Sequence, residues 1–126
     1  SDDTNGWSSS GSNISLQYRN SSNGNEWAAF LNDAQRNITD SDTEMGQWYH
    51  FVVQRNGGTS KVFIDGSMIY SIADTFDYSG KQYLAIGTYH SDDDWYGYIS
   101  NLRVSVGSGS NFYSNSFTPP TSELKA

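Results

Sequence analysis

The chain has 126 residues, enough for one domain with a modest core. Its formal charge of −7, with only 7 basic residues, argues against nucleic acids and anionic membranes as partners, because binding to either depends on neutralising negative charge. The sequence has 0 cysteines, which excludes disulfide bonds and thiolate metal sites and favours a bacterial or viral source over a secreted eukaryotic one.

The first third of the chain predicts a loop followed by two strands. Residues 1–13 are rich in serine and glycine and indicate a loop or a frayed end. Apolar and polar residues alternate over 12–19, which is typical of a half-buried strand. After a predicted turn at 20–25, the short run at 26–32 is bounded by turn residues, so we interpret it as a second strand rather than a helix. Residues 33–44 are polar and predict a connection.

The centre of the chain predicts a hairpin meander. Over residues 48–55 both faces of an extended chain carry apolar side chains, which predicts a central strand buried on both sides, with Trp48 and His50 in the core. Asn56-Gly57-Gly58 and Asp65-Gly66 contain residues that accept positive φ and therefore predict two tight turns. Closely spaced hairpin turns favour an antiparallel sheet.

The remaining residues predict more strands and no helix. Further strands are predicted at 67–72, 81–88 and 96–106, with an acidic and aromatic loop at 89–95 before the last of them. The chain then continues into an aromatic segment that ends in a double proline, at 111–120. About seven strands at short, even spacing predict an all-β chain folded as an antiparallel sandwich of the jelly-roll type.

Three segments of the sequence resemble laminin-G-like, concanavalin A-like jelly rolls. GQWYHFVVQRNGGTSKVFIDG looks like the Gly-x-Trp-x-His strand, Arg-bearing turn and Asp-Gly strand end of that family. LAIGTYHSDDDWYGYISNLRV resembles its next block, and NFYSNSFTPPT resembles the tail of the version found in bacteriophage tail and virion proteins. The resemblance covers residues 46–120 and implies a single jelly-roll domain over 1–126.

The beginning of the chain departs from that family. Such domains usually open with a strand of the Phe-Thr-Ile-Glu-Phe-Trp type, and this sequence has none. We therefore expect a domain truncated at its N-terminus, with residues 1–11 as a loop or frayed end. An uncovered sheet edge would expose main-chain hydrogen-bonding groups, so we expect the flank of Trp7, the parent chain or a partner subunit to cover it.

One acidic triplet suggests glycoside hydrolysis. Laminarinase-type hydrolases of this fold carry a Glu-x-Asp-x-Glu strand, and Asp40, Asp42 and Glu44 have the same spacing here. The interleaved residues are Ser and Thr rather than apolar, which favours a solvated loop. The sequence also lacks a Gly-x-Ser-x-Gly elbow. We expect no enzymatic activity, and a glycoside hydrolase is the less favoured alternative.

A run of three aspartates is a candidate calcium site. Asp92, Asp93 and Asp94 could supply hard oxygen ligands to Ca²⁺, with Asp74 and Asp77 contributing from a neighbouring loop. The family resemblance implies the same, since laminin-G-like domains often hold Ca²⁺ at a loop rim. A solvated acidic turn is the competing interpretation, because adjacent carboxylates repel one another.

Aromatic residues flank these carboxylates and are candidate ligand-binding residues. Tyr89, His90, Trp95 and Tyr96 could stack on the C–H faces of a sugar while polar groups bind its hydroxyls. The alternative interpretation is that Trp95 and Tyr96 close the end of the sandwich.

These features predict a non-catalytic carbohydrate-binding or adhesion module of an extracellular or virion protein, such as a tail fibre or appendage. The alternative is a purely structural assembly domain. The expected partners are glycans or cell-surface polysaccharide and other fibre subunits, including copies of this chain, without nucleic acid or membrane insertion. Arg55 and Arg103 are expected to make structural hydrogen bonds to carbonyls or carboxylates rather than to bind an anionic ligand.

Overall fold

The computed structural model describes residues 14–21, 24–38, 43–79, 86–87, 95–107 and 112–122. These residues contain six β-strands and no helix, and hence no helix that could span a membrane. The strands form two antiparallel sheets of three strands each. The prediction of an all-β antiparallel chain is confirmed.

The first sheet contains β1 (Ser15–Ser21), β2 (Gly24–Leu31) and β3 (Ala34–Ile38), in that order. The strands predicted at 12–19 and 26–32 correspond to β1 and β2. Both strands extend into the region predicted as a turn, since Ser21 pairs with Gly24. The hydrogen bonds between antiparallel strands join main-chain groups, so polar residues can continue the pairing as long as the two strands stay in register.

Strand β3 was not predicted from the sequence, because residues 33–44 read as a polar connection. It follows a two-residue turn in which Asn32 and Asp33 have φ values of 51° and 56°. Asn and Asp tolerate this left-handed region better than other non-glycine residues, so the pair was a hairpin signal. The apolar alternation was weak because the charged Arg36 shares the less exposed face of β3 with Ala34 and Ile38.

The second sheet contains β4 (Phe51–Asn56), β5 (Thr59–Ile64) and β6 (Ser67–Ala73), in that order. Both predicted turns are present as two-residue loops with positive φ at each position. The φ values are 56° and 76° at Gly57 and Gly58, and 47° and 78° at Asp65 and Gly66. These values are those of type I′ turns, whose twist matches that of the strands they join.

The prediction of a central strand with Trp48 and His50 in the core is wrong. The strand begins only at Phe51 and lies at the edge of the described sheet, with β5 in the centre. Trp48 is 67% exposed and His50 is half-buried. The reason is that the ladder ends opposite the second turn: the main-chain N–H of His50 donates to Asp65 Oδ1 at 2.7 Å, and that of Asp65 donates to the His50 carbonyl at 2.7 Å.

The core lies between the two sheets. Every second residue of β2 points to it, and the inner positions of β5 meet these residues from the other side. The buried cluster consists of Trp27, Ala29, Leu31, Ile38, Val62 and Ile64. Burial of each large member stabilises the fold by roughly 1.5–3 kcal/mol relative to exposure. The two sheets therefore face each other as a sandwich.

The strand predicted at 96–106 is not a strand in the structure. Tyr98, Leu102, Val104 and Val106 share one parity as predicted, but all four are exposed. An alternating sequence becomes a strand only when a second main chain pairs with it, and none of the described residues does so. Of the strand predicted at 81–88, the structure describes residues 86 and 87 alone, and these are not in a strand.

The outer surface of the second sheet is covered by the segment 112–117. Tyr113 and Phe117 stack on each other with ring centroids 3.5 Å apart, and both contact the buried ring of Phe63 edge-on. The main-chain N–H of Phe117 donates to the carbonyl of Gly66 at 2.8 Å. The sheet is thus packed on both faces, which is why Phe63 is fully buried although it points away from the inter-sheet core.

Candidate functional site

Two of the predicted ligand-binding aromatics, Trp95 and Tyr96, lie side by side at the surface. Their exposed fractions are 38% and 91%. The N–H of Trp95 donates to the carbonyl of Gly87 at 2.9 Å, and the N–H of Gly97 donates to the carbonyl of Trp95 at 3.1 Å. The indole lies against Gly97, where an added Cβ would sit 3.0 Å from Nε1. The main chain and this glycine therefore fix the tryptophan while the neighbouring tyrosine ring stays in solvent.

The other residues of the predicted rim lie outside the described residues. These are Tyr89, His90, Asp92, Asp93 and Asp94. Both the glycan site and the calcium site at this loop stay predictions.

Asp74, the fourth predicted calcium ligand, is fully buried where the two sheets meet. Its Oδ2 accepts hydrogen bonds from Ser60 Oγ at 2.6 Å, from the Tyr78 hydroxyl at 2.9 Å and from the main-chain N–H of Asn32 at 3.2 Å. Its Oδ1 accepts one from the N–H of Phe76 at 3.2 Å. Since Asn32 belongs to the β2–β3 turn and Ser60 to β5, this carboxylate links the two sheets.

The surroundings of Asp74 keep its carboxyl group ionised. Burial raises the pKa, but the hydrogen bonds from Ser60, Tyr78, Phe76 and Asn32 together lower it below the usual 3.8. The effect on the hydroxyl group of Tyr78 is opposite: burial raises its pKa, and the hydrogen bond to Asp74 adds to this. The network is therefore fully formed near neutral pH, with Asp74 charged and Tyr78 neutral.

Asp77, the fifth predicted ligand, is exposed. Its Oδ1 accepts a hydrogen bond from the N–H of Ser79 at 2.9 Å, which lowers the pKa of Asp77. Among the residues that the structure describes, no group of three Asp, Glu or His side chains could hold a metal ion. Any contribution of Asp74 or Asp77 to a calcium site therefore depends on the aspartates at 92–94.

The structural role predicted for Arg55 is confirmed. Its Nε donates to the carbonyl of Asp74 at 3.2 Å and its Nη2 to the carbonyl of Phe76 at 2.8 Å. Nε also lies 3.7 Å from the Asp74 carboxylate, and the guanidinium lies over the ring of Tyr78 at 5.1 Å. Arg55 thereby holds the chain after β6 against the edge of the second sheet. The prediction for Arg103 stays a prediction.

Only Glu44 of the hydrolase-like triplet lies within the described residues. It is exposed, and its main-chain N–H donates to the Tyr49 hydroxyl at 2.7 Å.

The imidazole of His50 packs edge-on against Phe117, with ring centroids 5.7 Å apart. Its Nδ1 is buried without a hydrogen-bond partner among the described residues.

Sequence reasoning missed a cleft on the outer surface of the second sheet, which we call the outer cleft. Its volume is about 250 Å³, and it lies between the β4–β5 hairpin and the segment 112–117. It is lined by Gln54, Asn56, Thr59, Lys61, Phe112, Tyr113 and Ser114. The outward polar positions of the hairpin were a visible signal. Nothing in the sequence indicated that a segment more than fifty residues later returns to this hairpin, as the contact between Gln54 and Tyr113 shows.

The comparisons with known proteins identify the family. The model described as the concanavalin A-like lectin/glucanases superfamily matches residues 1–108, which include all six strands and the turn at Trp95. The match extends over the first 45 residues, which the sequence resemblance did not cover, and stops before the segment 112–117. Searches of curated proteins and of solved structures return no match. The family match and the two facing antiparallel sheets agree, and the chain belongs to the concanavalin A-like lectin/glucanase superfamily.

Proposed function

We propose that the chain is a non-catalytic carbohydrate-binding or adhesion module of an extracellular or virion protein, such as a tail fibre or appendage. It binds glycans or cell-surface polysaccharide through the rim residues Tyr89, His90, Trp95 and Tyr96. The observation that carries this proposal is the exposure of Trp95 and Tyr96 as neighbouring rings on one loop.

The exposed rings favour binding over closure of the sandwich. A ring that closes a core is buried, as Trp27 is, with 3% of its surface exposed. Tyr96, with 91% exposed, adds little to the stability of the fold. Aromatic rings are suited to recognition because they present a large apolar face at a low cost in conformational entropy. Neighbouring carboxylates and hydroxyls can then bind the sugar hydroxyls.

Removing the indole tests this proposal. We expect Trp95→Ala to abolish binding of the protein on a glycan array without unfolding the domain, because the ring contributes stacking area and its main-chain hydrogen bonds remain. The matched control is Trp48→Ala, which removes a tryptophan that is 67% exposed on another loop and should leave binding unchanged. Equal losses for the two variants, or a native protein that binds no glycan, would contradict the proposal.

We also propose that Ca²⁺ binds at the loop of Asp92, Asp93 and Asp94. Calcium sites of extracellular modules have dissociation constants of about 10⁻⁴–10⁻³ M, so 10 mM Ca²⁺ should stabilise the fold by roughly 1.4–2.7 kcal/mol. We expect the melting temperature to rise in 10 mM Ca²⁺ and to stay unchanged in 10 mM Mg²⁺, which retains its water shell. Asp93→Asn should remove the rise. An identical melting temperature with and without Ca²⁺ would contradict this proposal.

A second candidate function is assembly in a virion or fibre. The observation that favours it is the row of exposed apolar side chains Tyr98, Leu102, Val104 and Val106, which a neighbouring subunit could cover. The glycan array separates the two candidates. Glycan binding that Trp95→Ala abolishes supports recognition. A native protein that binds nothing, and that associates in light scattering, supports assembly.

A further inference from the structure

The outer cleft has a preformed wall. The side-chain amide of Gln54 pairs with the main chain of Tyr113 in both directions: its Nε2 donates to the carbonyl at 2.6 Å, and its Oε1 accepts from the N–H at 3.0 Å. The stacked rings of Tyr113 and Phe117 are anchored on Phe63. The segment is held on the sheet by these contacts, so a ligand can enter the cleft without an ordering cost for its walls.

The charge inside the cleft is opposite to that of the chain. The protein has a formal charge of −7, yet among the described residues that line the cleft there is one cation, Lys61, and no carboxylate. At physiological ionic strength the field of distant carboxylates is screened beyond about 8 Å, so the local charge dominates inside the cleft. Lys61 Nζ donates to the Ser114 carbonyl at 2.6 Å. An ammonium group has three donors, so two remain for a ligand.

The other lining groups suit a sugar ring. Asn56 and Thr59 are cross-strand neighbours, and the structure gives their side chains no hydrogen-bond partner among the described residues. Together with Phe112 they add amide, hydroxyl and aromatic groups to the lining that contains the ammonium. The volume of about 250 Å³ lies just below the roughly 300–1,000 Å³ typical of drug-sized ligands. The space fits one sugar residue rather than an oligosaccharide.

We propose that the outer cleft binds a single acidic sugar residue, such as a uronic acid of a polysaccharide, with Lys61 pairing its carboxylate. This goes beyond the proposed glycan binding at the rim, because it places a second site on another surface and gives its ligand a charge. The cleft would bind an acidic sugar residue of a polysaccharide, while the aromatic residues of the rim stack on a different sugar residue of the same polymer.

The test is an NMR titration with D-glucuronate, with D-glucose as the neutral analogue of the same ring. We expect glucuronate to shift the amide signals of Asn56, Thr59 and Lys61 and to bind at least roughly tenfold more tightly than glucose, since a charge-assisted pair is added. Lys61→Gln should reduce glucuronate affinity to that of glucose, and Lys61→Arg should retain most of it. Binding should weaken as NaCl is raised from about 50 to 500 mM.

Two variants keep the result interpretable. Lys61→Gln also removes the hydrogen bond to Ser114, so Thr59→Val, which leaves that contact intact, serves as the second cleft variant and should weaken both sugars. Trp48→Ala, which removes an exposed ring outside both the cleft and the rim, should leave glucuronate binding unchanged, and the amide shifts at Asn56, Thr59 and Lys61 separate the cleft from the rim. Equal affinities for the two sugars, shifts confined to other residues, or an affinity that Lys61→Gln does not alter would overturn the proposal.

Discussion

Replacing Asp74 with asparagine should lower the free energy of unfolding by about 3 kcal/mol. The two carboxylate oxygens accept hydrogen bonds from two hydroxyls and two main-chain N–H groups. An asparagine offers one acceptor oxygen and one NH₂ donor. In one orientation the NH₂ group faces the N–H of Phe76; in the other it faces the two hydroxyls and the N–H of Asn32, which keeps the Tyr78 hydroxyl at 2.8 Å as an acceptor. Each buried donor left without an acceptor costs about 1–3 kcal/mol, and the charge-assisted character of the remaining bonds is lost. Urea unfolding followed by tryptophan fluorescence measures the difference.

The matched control for this variant is Asp77→Asn. It makes the same change of charge three residues later, but Asp77 is exposed and its hydrogen bonds are local, with Ser79 two residues along the chain. The loss of stability should be much smaller than that for Asp74→Asn. Equal losses would show that net charge, rather than the link between the sheets, sets the effect. Tyr78→Phe, which removes one donor to Asp74, should give an intermediate loss.

The stability contributed by Asp74 should depend on pH in a defined direction. The pKa of Asp74 in the folded chain is lower than its usual 3.8. The ionised carboxylate therefore stabilises the fold fully when the pH is above the usual pKa of 3.8. This stabilisation is lost as the pH falls through the lower pKa of the folded chain. The difference in unfolding free energy between the native protein and Asp74→Asn should narrow between about pH 5 and pH 2. A constant difference over this range would contradict an ionised Asp74 at neutral pH.

Replacing Gly66 with alanine should cost about 3 kcal/mol of unfolding free energy. Gly66 has a φ of 78°, a region that costs other residues about 1–2 kcal/mol. In addition, an added Cβ would overlap the carbonyl oxygen of Phe117 and lie 3.0 Å from Cδ of Pro119. Relief of that overlap requires the segment 112–117 to move off the sheet, which would break the hydrogen bond between Phe117 and Gly66.

The control for Gly66→Ala is Gly57→Ala in the other type I′ turn. Gly57 has a φ of 56°, and no atom of the described residues lies within 4 Å of an added Cβ, so only the backbone strain remains, about 1 kcal/mol. Urea unfolding of both variants separates strain from overlap. Similar losses for the two glycines would show that Phe117 does not pack on the Asp65–Gly66 turn.

Local features of the fold were predictable because they depend on neighbouring residues only. The two glycine-containing turns set the β4–β5 and β5–β6 hairpins, since few other residues accept positive φ at these positions. Strand β3 was not predicted because the turn before it, Asn32-Asp33, lacks glycine and because the apolar alternation of the strand is weak. Trp48 was misplaced in the core because alternation shows which residues share a face but not where the partner strand ends.

The candidate site was predictable only as a set of residue types. Aromatic rings beside aspartates indicated the chemistry of the loop at 89–96, and the exposure of Trp95 and Tyr96 is compatible with it. The outer cleft was not predictable, because its walls come from a hairpin and from a segment that returns to it after more than fifty residues. Asp74 was predicted to be a surface ligand because it was assigned to a loop, yet it is buried, and its partners include Ser60 of β5 and Asn32 of the β2–β3 turn.

The sequence by itself determined that this chain is an all-β member of its superfamily, with two type I′ hairpins and an acidic, cysteine-free composition. The strands and turns follow from alternation and turn residues, which act over a few residues, and the superfamily follows from segments of the sequence that resemble it. Only the tertiary structure decided that Asp74 joins the sheets, that Trp48 is exposed and that the segment 112–117 builds a cleft around Lys61. Each of these depends on which distant segments meet, and that is set by the packing of the whole chain rather than by any one stretch of it.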